Sequence, residues 1–464
     1  MSNPENIGGE VPVGVDEVYA VSTELVRAVE AAIDDTRWDD LADLLDPLHA
    51  ADLADLVEML PRDDRQTLVA WLGGGLDPEV LTELEEPVLE GVLARLAPTD
   101  LARAIGELDT DDAVYLLENL PEERLQEVLH AVPAPDRVAV EAALSYPEDS
   151  AGRLMQREFI AVPAYWTVGQ LIDYCRESAD LPDEFYEIFV VDPRQRPIGS
   201  VPLYRAMRTE RPVMVRSIMA PETRLIPIDM DQEEVAYLFQ QYRMASGPVI
   251  DEAGRMVGVV TFDDVAQVIQ EEAEEDLMRL AGVAGETDLA LSVMRTSRTR
   301  FTWLLVNLFT AILASLVISL FDATIEEIVA LAILMPIVAS MGGNAGTQTL
   351  TVAVRALATH ELTAANAMRV LGKEVLVGGL NGVLFAILMG LIAGLWFQNP
   401  ALGLVIAAAM VINMLIAGFF GMLVPLGCER LGVDPAIAAS VFLTTITDVV
   451  GFFAFLGLAA WFLL

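Results

Sequence analysis

Basic residues, cysteine and histidine are scarce in this chain. Its 464 residues include 28 lysine and arginine residues against 69 aspartate and glutamate residues, which gives a formal net charge of −41. Such a surface repels nucleic acid and anionic lipid headgroups, and this excludes binding to either by charge. The two cysteines, Cys175 and Cys428, lie in different regions and lack metal-ligand spacing. This usage indicates a reducing, intracellular setting.

Common enzymatic motifs are missing as well. The only lysine is Lys373, so the chain has no Gly-x-x-x-x-Gly-Lys nucleotide loop, and it has no nucleophile elbow around a serine. The three histidines, His49, His130 and His360, are scattered. These absences predict a protein without an enzymatic step. An apolar signal-peptide core is also absent, so we expect the N-terminus to stay in the cytoplasm.

Charge is distributed unevenly along the chain. Residues 301–464 hold four basic and eight acidic residues, so the remaining 24 basic and 61 acidic residues lie in residues 1–300. Long apolar runs occur behind this acidic part. The length and the asymmetry exclude a single compact domain. The acidic part is expected to attract cations, and an ordinary solvated acidic surface is the alternative interpretation.

The acidic part has three predicted regions. Residues 1–150 contain apolar residues at three and four spacing in short segments punctuated by Leu-Pro or Ala-Pro, which predicts a superhelical array of short helices. Residues 151–269 contain strand-like runs. Residues 270–300 form a charged connector with acids at its start and arginines at its end, a pattern that complements a helix dipole and predicts a connecting helix.

An internal repeat divides residues 151–269 into halves at about 152–214 and 215–269. Residues 192–199 parallel residues 251–258. The second segment predicts a β-hairpin with a turn at Asp-x-x-Gly-Arg, followed by a helix that starts at Thr-x-x-Asp. This repeat resembles a tandem pair of cystathionine-β-synthase-type (CBS) domains, which are ligand-sensing modules.

Five apolar segments in residues 301–464 are each long enough to cross a bilayer about 30 Å thick. Their predicted bounds are 301–321, 325–345, 375–397, 402–426 and 435–464. The connectors after the second and fourth segments carry the basic residues Arg355, Arg369, Lys373 and Arg430. The positive-inside rule therefore predicts a cytoplasmic soluble part and a C-terminus outside.

Asp448 lies near the middle of the last apolar segment. It is ~20 Å along that segment at ~1.5 Å per residue. An ionised group at this depth is costly and usually faces a water-filled path. A protonated aspartic acid that hydrogen-bonds neighbouring helices is the alternative.

The second apolar segment combines Pro336, adjacent glycines and two side-chain amides. This composition predicts a broken helix that turns oxygen atoms toward a pore, and close helix packing is the alternative explanation for the small residues. Together with the hydroxyls near Asp448 these residues give an all-oxygen lining, which suits a hard cation such as Mg²⁺. The predicted pore-lining residues are Gly342, Gly343, Thr347, Gln348, Thr445 and Thr447.

Four motifs carry a resemblance to a known family: residues 342–348, 355–359, 431–436 and 447–451. The chain resembles the MgtE family of magnesium transporters and channels along nearly its whole length. This resemblance implies a homodimer in the cell inner membrane, with the pore between two membrane domains. It also implies that Asp448 holds a hydrated Mg²⁺, with Asn344 and the Thr444 backbone near the same site.

The resemblance further implies that the acidic domains sense intracellular Mg²⁺ and close the pore when the ion binds. A solvated surface position is the alternative for each acid. The implied sensor residues are Asp231, Glu233, Asp264, Glu272, Glu275, Asp276 and Asp434, with Glu79 and Asp111 as further candidates.

Some positions depart from the family pattern. Arg243 and Gln267 stand where the family has sensor acids. Some members bind ATP in the CBS pair through an aromatic ring and an aspartate, and these positions hold Glu187 and Arg205 here, although Tyr186 is adjacent. The sequence therefore does not support ATP binding.

These observations lead to one main prediction and two alternatives. The main prediction is a Mg²⁺ channel gated by intracellular Mg²⁺. One alternative is a broader divalent transporter that also carries Co²⁺ or Mn²⁺. The other is a membrane-anchored CBS ligand sensor through which nothing is transported.

Overall fold

The computed structural model describes residues 15–16, 20–178, 181–182, 185–221, 223–280, 293–431, 433 and 435–464. It contains two compact units, Met1–Gln270 and Glu271–Leu464. The predicted fold class is confirmed: short helices come first, a repeated α/β region follows, and long apolar helices come last.

Short helices build the first part of the first unit. A strand pair, β1 (Val15–Asp16) and β2 (Ala20–Val21), precedes them. Proline begins or immediately precedes several of these helices because it lacks the N–H that a first turn leaves unpaired. Their leucine and valine faces share one hydrophobic core. The helices are α1 Thr23–Asp34, α2 Trp38–Leu45, α3 Ala50–Met59, α4 Arg62–Leu72, α5 Pro78–Thr82, α6 Glu86–Leu93, α7 Pro98–Glu107, α8 Thr110–Glu118, α9 Glu122–Ala131 and α10 Ala134–Ala143.

The predicted repeat forms two three-stranded sheets of the same topology, each with a parallel pair and an antiparallel hairpin. The first sheet contains β3 (Ala161–Pro163), β4 (Glu187–Val191) and β5 (Pro197–Pro202). The second contains β6 (Ile226–Pro227), β7 (Ser246–Ile250) and β8 (Met256–Thr261). The surrounding helices are α11 Ala151–Leu154, α12 Val168–Glu177, α13 Leu203–Met207, α14 Val215–Ile218, α15 Gln232–Tyr242 and α16 Phe262–Leu280.

Long helices dominate the second unit. Within the described residues, five helices are long and apolar enough to cross a membrane. The predicted connecting helix corresponds to the end of α16 and the start of the next helix, and residues 281–292 between them lie outside the described part. The helices are α17 Val293–Ser319, the short α18 Asp322–Glu327, α19 Ala330–Ala358, α20 Ala367–Trp396, α21 Pro400–Arg430 and α22 Pro435–Phe462.

The predicted break in the second apolar segment is wrong. Helix α19 is continuous through Pro336, Gly342 and Gly343. Pro336 lies in the second turn of α19, where it removes one intrahelical hydrogen bond. The remaining turns continue because neighbouring helices pack against them. Helix α21 is the most buried of the five long helices and packs against α19, α20 and α22.

Candidate functional site

One face of α19 is polar although the helix is long enough to lie in a membrane. Ser340, Asn344, Thr347, Gln348 and Thr351 recur at helical spacing and are all exposed. The Thr347 hydroxyl donates to the Gly343 carbonyl at 3.0 Å, and the Thr351 hydroxyl donates to the Thr347 carbonyl at 3.0 Å. These bonds leave a row of oxygen atoms at the surface. Hydrocarbon cannot solvate such a row, so it needs water or a second polar surface.

Helix α22 carries the carboxylate. Asp448 is half-buried, and Thr444 is exposed one turn before it on the same face. Thr445 is partly exposed, and its hydroxyl donates to the Val441 carbonyl at 2.7 Å. Asp448 and Thr444 therefore lie together on a surface of the chain and not in its core.

Helices α19 and α22 meet at a glycine. A Cβ atom added to Gly346 would lie 3.1 Å from Cγ of Leu443. Asn344 lies two residues before Gly346 and Thr347 follows it directly, and Thr444 follows Leu443. The contact therefore brings the polar residues of the two helices to the same level.

Two predicted pore-lining residues face the interior of the chain. Thr447 is 0% exposed, and its hydroxyl donates to the carbonyls of Leu443 and Thr444 at 3.1 and 3.0 Å. Gly342 is buried against Asn413. Neither residue reaches the exposed face, so their assignment to the pore lining is corrected. Ser340 and Thr351 on the same polar face were not predicted from the sequence, although the spacing of polar residues along α19 could have identified them.

An acidic cluster joins α8 to the start of α16 in the first unit. The pKa of Asp111 is raised well above its ordinary value. Burial is the largest cause, and the negative charges of Asp264 and Asp112 add to it. Burial and then the charges of Asp264 and Asp109 raise the pKa of Asp112 to about 7. The fold thus brings Asp111 and Asp264 together, and it adds Asp109, Asp112 and Asp263, which were not predicted from the sequence.

Asp264 has a second role at the start of α16. The Thr261 hydroxyl donates a hydrogen bond to its carboxylate, which favours the ionised form. Burial outweighs this bond and raises the pKa of Asp264 to about 6. Within the described residues, no three carboxylate, imidazole or thiol groups are already arranged to hold a metal ion. A cation at this cluster would therefore require the carboxylates to approach one another.

Polar contacts hold α8 against the repeated region. The Thr110 hydroxyl donates to Glu158 Oε1 at 2.9 Å, and the Thr110 N–H donates to Glu158 Oε2 at 3.3 Å. Arg153 forms an ion pair with Glu118 at the other end of α8. These contacts fix the helix that carries the acidic cluster.

The other predicted sensor residues occupy several elements. Asp231 caps α15 by accepting the Glu233 N–H at 2.9 Å, and both residues are exposed. Glu79 is exposed in the first turn of α5. Glu272, Glu275 and Asp276 have the spacing of one helical face on α16, where Glu275 pairs with Arg279. Asp434 lies outside the described residues.

A cleft of about 840 Å³ lies in the repeated region. Tyr186, Glu187, Tyr204 and Tyr242 line it. Burial raises the pKa of Glu187, while a hydrogen bond from Ser200 opposes this effect. A carboxyl group, that of Glu187, therefore lies among the tyrosines of this cleft.

Comparisons with known proteins agree with this architecture. A family model described as a divalent cation transporter, MgtE, matches residues 335–458, and the MgtE intracellular N domain matches residues 48–149. A CBS domain model matches residues 215–271. The magnesium transporter MgtE of Thermus thermophilus is 32% identical over 437 residues, covering 93% of this chain and 94% of that protein. This chain belongs to the MgtE family.

Further relatives extend the comparison. The magnesium transporter MgtE of Bacillus subtilis is 28% identical over 442 residues, covering 95% of this chain and 98% of that protein. A crystal structure of the cytosolic domain of the Mg²⁺ channel MgtE in complex with ATP is 32% identical, with a TM-score of 0.49. The match covers 52% of this chain and 99% of the chain in that crystal structure. The resemblance to MgtE predicted from the sequence motifs is confirmed, and the chain is a membrane transporter family member with a cytosolic N-terminal domain.

Proposed function

We propose that this MgtE family protein is a Mg²⁺ channel in which the polar face of α19 and the Asp448 face of α22 line the pore. The observation that carries this proposal is the presence of four exposed polar residues, Asn344, Thr347, Gln348 and Thr444, and of the half-buried Asp448 on membrane-length helices. Mg²⁺ is the transported substrate. Hydroxyl, amide and carboxylate oxygens suit a hard cation that keeps part of its water shell.

A second copy of the chain completes the proposed pore. One chain leaves its polar row facing outward, and lipid would surround that row in a monomer. A two-fold axis beside α19 and α22 would pair the row with its own copy, and such symmetry is the commonest for homo-oligomers. Each ion would then meet two Asp448 carboxylates. A negative-inside membrane potential would draw the cation inward.

The acidic cluster supports gating by intracellular Mg²⁺. Asp111, Asp112 and Asp264 repel one another when ionised, and a bound divalent cation relieves that repulsion. The ion then favours the closed arrangement by its greater affinity for it. Asp231, Glu233, Glu79, Asp434 and the acids of α16 are the other proposed sensor positions.

The proposed location is the cell inner membrane, with the C-terminus outside. Basic residues at one end of these helices support this orientation by the positive-inside rule: Arg355 in the last turn of α19, Arg369 and Lys373 near the start of α20, and Arg430 at the end of α21. We propose no ATP-dependent step, because Glu187 and Arg205 replace the recognition side chains, and the Arg205 guanidinium already donates to the Ile218 carbonyl at 3.0 Å.

Divalent uptake by purified protein in liposomes tests the function. A Mg²⁺-sensitive dye inside the vesicles should report Mg²⁺ entry that protein-free vesicles lack. Excess Co²⁺ or Mn²⁺ should compete weakly. Strong competition with entry of the competing ion would support a broader divalent transporter. Absence of flux from a folded dimer would contradict transport and favour a ligand sensor.

A further inference from the structure

Asn413 is a polar residue in the most buried helix of the membrane unit. It lies in the middle of α21 and is 1% exposed. Its Nδ2 donates to the Val338 carbonyl of α19 at 2.8 Å. Its Oδ1 is buried without a hydrogen-bond partner among the described residues. This amide therefore makes one directional bond between helices and leaves one acceptor unsatisfied.

Two glycines form the slot that holds the amide. A Cβ atom added to Gly342 of α19 would lie 2.1 Å from Nδ2 of Asn413. A Cβ atom added to Gly451 of α22 would lie 2.8 Å from the same nitrogen. No real Cβ atom fits at such distances, so the amide requires glycine on both sides. Asn413 thus fills the space between α19 and α22.

The contacts of Asn413 adjoin the proposed pore residues. Val338 and Gly342 are one turn apart, and Asn344 follows two residues later on the exposed side of α19. Gly451 lies three residues after Asp448 on α22. The amide therefore holds, from the interior of the chain, the two helical segments whose outer faces carry Asn344 and Asp448.

Stability alone does not explain an amide here. A buried acceptor without a partner is unfavourable, whereas an apolar side chain of similar size would bury no polar atom. Residues that break a local rule of this kind are expected at functional sites. In membranes, interhelical hydrogen bonds from such side chains fix helix pairs.

We propose that Asn413 is a positioning residue that sets the separation and register of α19 and α22, and thereby the spacing of the pore oxygens. The proposal rests on the proposed transport function. It assigns no contact between Asn413 and the ion. Its substitution should therefore change the discrimination between cations as well as the amount of flux.

Complementary substitutions at Gly342 and Asn413 test their contact in the full-length protein in liposomes. Gly342→Ala should lower Mg²⁺ uptake by about tenfold, and Asn413→Ala in the same chain should restore a substantial part of it, because the two sites are coupled through one contact. Gly427→Ala is the matched control, since it is a glycine of α21 with no atom within 4 Å of an added Cβ. Its uptake should stay near wild type.

A second measurement separates positioning from folding. Asn413→Leu keeps the branched shape of the side chain, is larger and cannot form the hydrogen bond, and it should lower the Mg²⁺ to Ca²⁺ permeability ratio several-fold in protein that elutes as a folded oligomer. An unchanged ratio, or no recovery in the double variant, would overturn the proposal. The melting temperatures of these variants, namely Gly342→Ala, its double variant with Asn413→Ala, Asn413→Leu and the control Gly427→Ala, report the helix contact independently of flux. If the substitutions affected the melting temperature non-additively but the wild-type protein transported no Mg²⁺, the proposed function would be rejected and, with it, a positioning role of Asn413 in transport.

Discussion

Single residues decide which surfaces of this molecule are available to cations. Asn344 and Gly342 are two positions apart on α19, yet one is exposed and the other is buried against Asn413. Thr444 and Thr447 on α22 differ in the same way. Helical geometry separates such near neighbours because successive residues are about 100° apart around the axis. The sequence motif predicted a polar segment, but only the packing partners decide which of its residues face outward.

Gln195 shows how a single residue affects the stability of a turn. The hairpin between β7 and β8 has Gly254 at a φ of 76°, and the equivalent hairpin between β4 and β5 has Gln195 at a φ of 62°. A side chain in this left-handed region costs roughly 1 kcal/mol relative to glycine. Gln195→Gly should therefore raise the melting temperature of the first unit slightly. Gly254→Ala should lower it, and the opposite order in a thermal scan would contradict this explanation.

Helices and strands were largely predictable because their signals are local. Proline at helix starts, the Asp-x-x-Gly-Arg turn and the apolar runs all act within a few residues. The predicted spans lie on the observed long helices, although α19 extends thirteen residues beyond the predicted end at 345, to Ala358. The predicted break in α19 was wrong: the helix is continuous, and two of its glycines, Gly342 and Gly346, serve packing against Asn413 and Leu443. The approach of Asp111 to Asp264 depends on the packing of distant segments, which local patterns do not determine.

The junction of α8 and α16 should make the protein sensitive to pH. Asp112 and Asp264 have pKa values of about 7 and about 6 in the fold, against 3.8 ordinarily. Between the ordinary and the raised values the folded protein binds more protons than the unfolded chain, so the free energy of unfolding falls as pH rises. Without divalent ions, the full-length protein in detergent should melt at a lower temperature at pH 8 than at pH 6.

Bound Mg²⁺ and the substitution Asp112→Asn should each weaken the pH dependence of the melting temperature. Saturating Mg²⁺ should raise the melting temperature more at pH 8 than at pH 6, because it relieves the repulsion that protons relieve at lower pH. Asp112→Asn should flatten the pH profile. An exposed acid on another helix, Asp63 of α4, supplies the control variant Asp63→Asn. If the melting temperature changed equally with pH in the wild type and in Asp112→Asn, the acidic cluster would not control the pH dependence of stability.

At the scale of the whole molecule, the charge pattern and the polar face of the membrane unit lead to the same function. Most of the net charge of −41 lies in residues 1–300 and concentrates cations near the cytosolic part, while the membrane unit presents oxygen atoms and one carboxylate on an outward face. In the proposed dimer, closure of that face by a second copy would convert a costly lipid contact into a lined path. Neither feature alone specifies a channel, and the proposed gating links them through the acids that a cation can bridge.

Mg²⁺ uptake by Asp448→Asn in liposomes tests the central claim most directly. The substitution keeps the size of the side chain and removes its charge, and uptake should fall by at least about tenfold because the pore loses its anionic ligands. Asp322→Asn, an exposed acid outside the long helices, should leave uptake near wild type. Uptake by a folded Asp448→Asn oligomer that equals the wild-type rate would contradict the account.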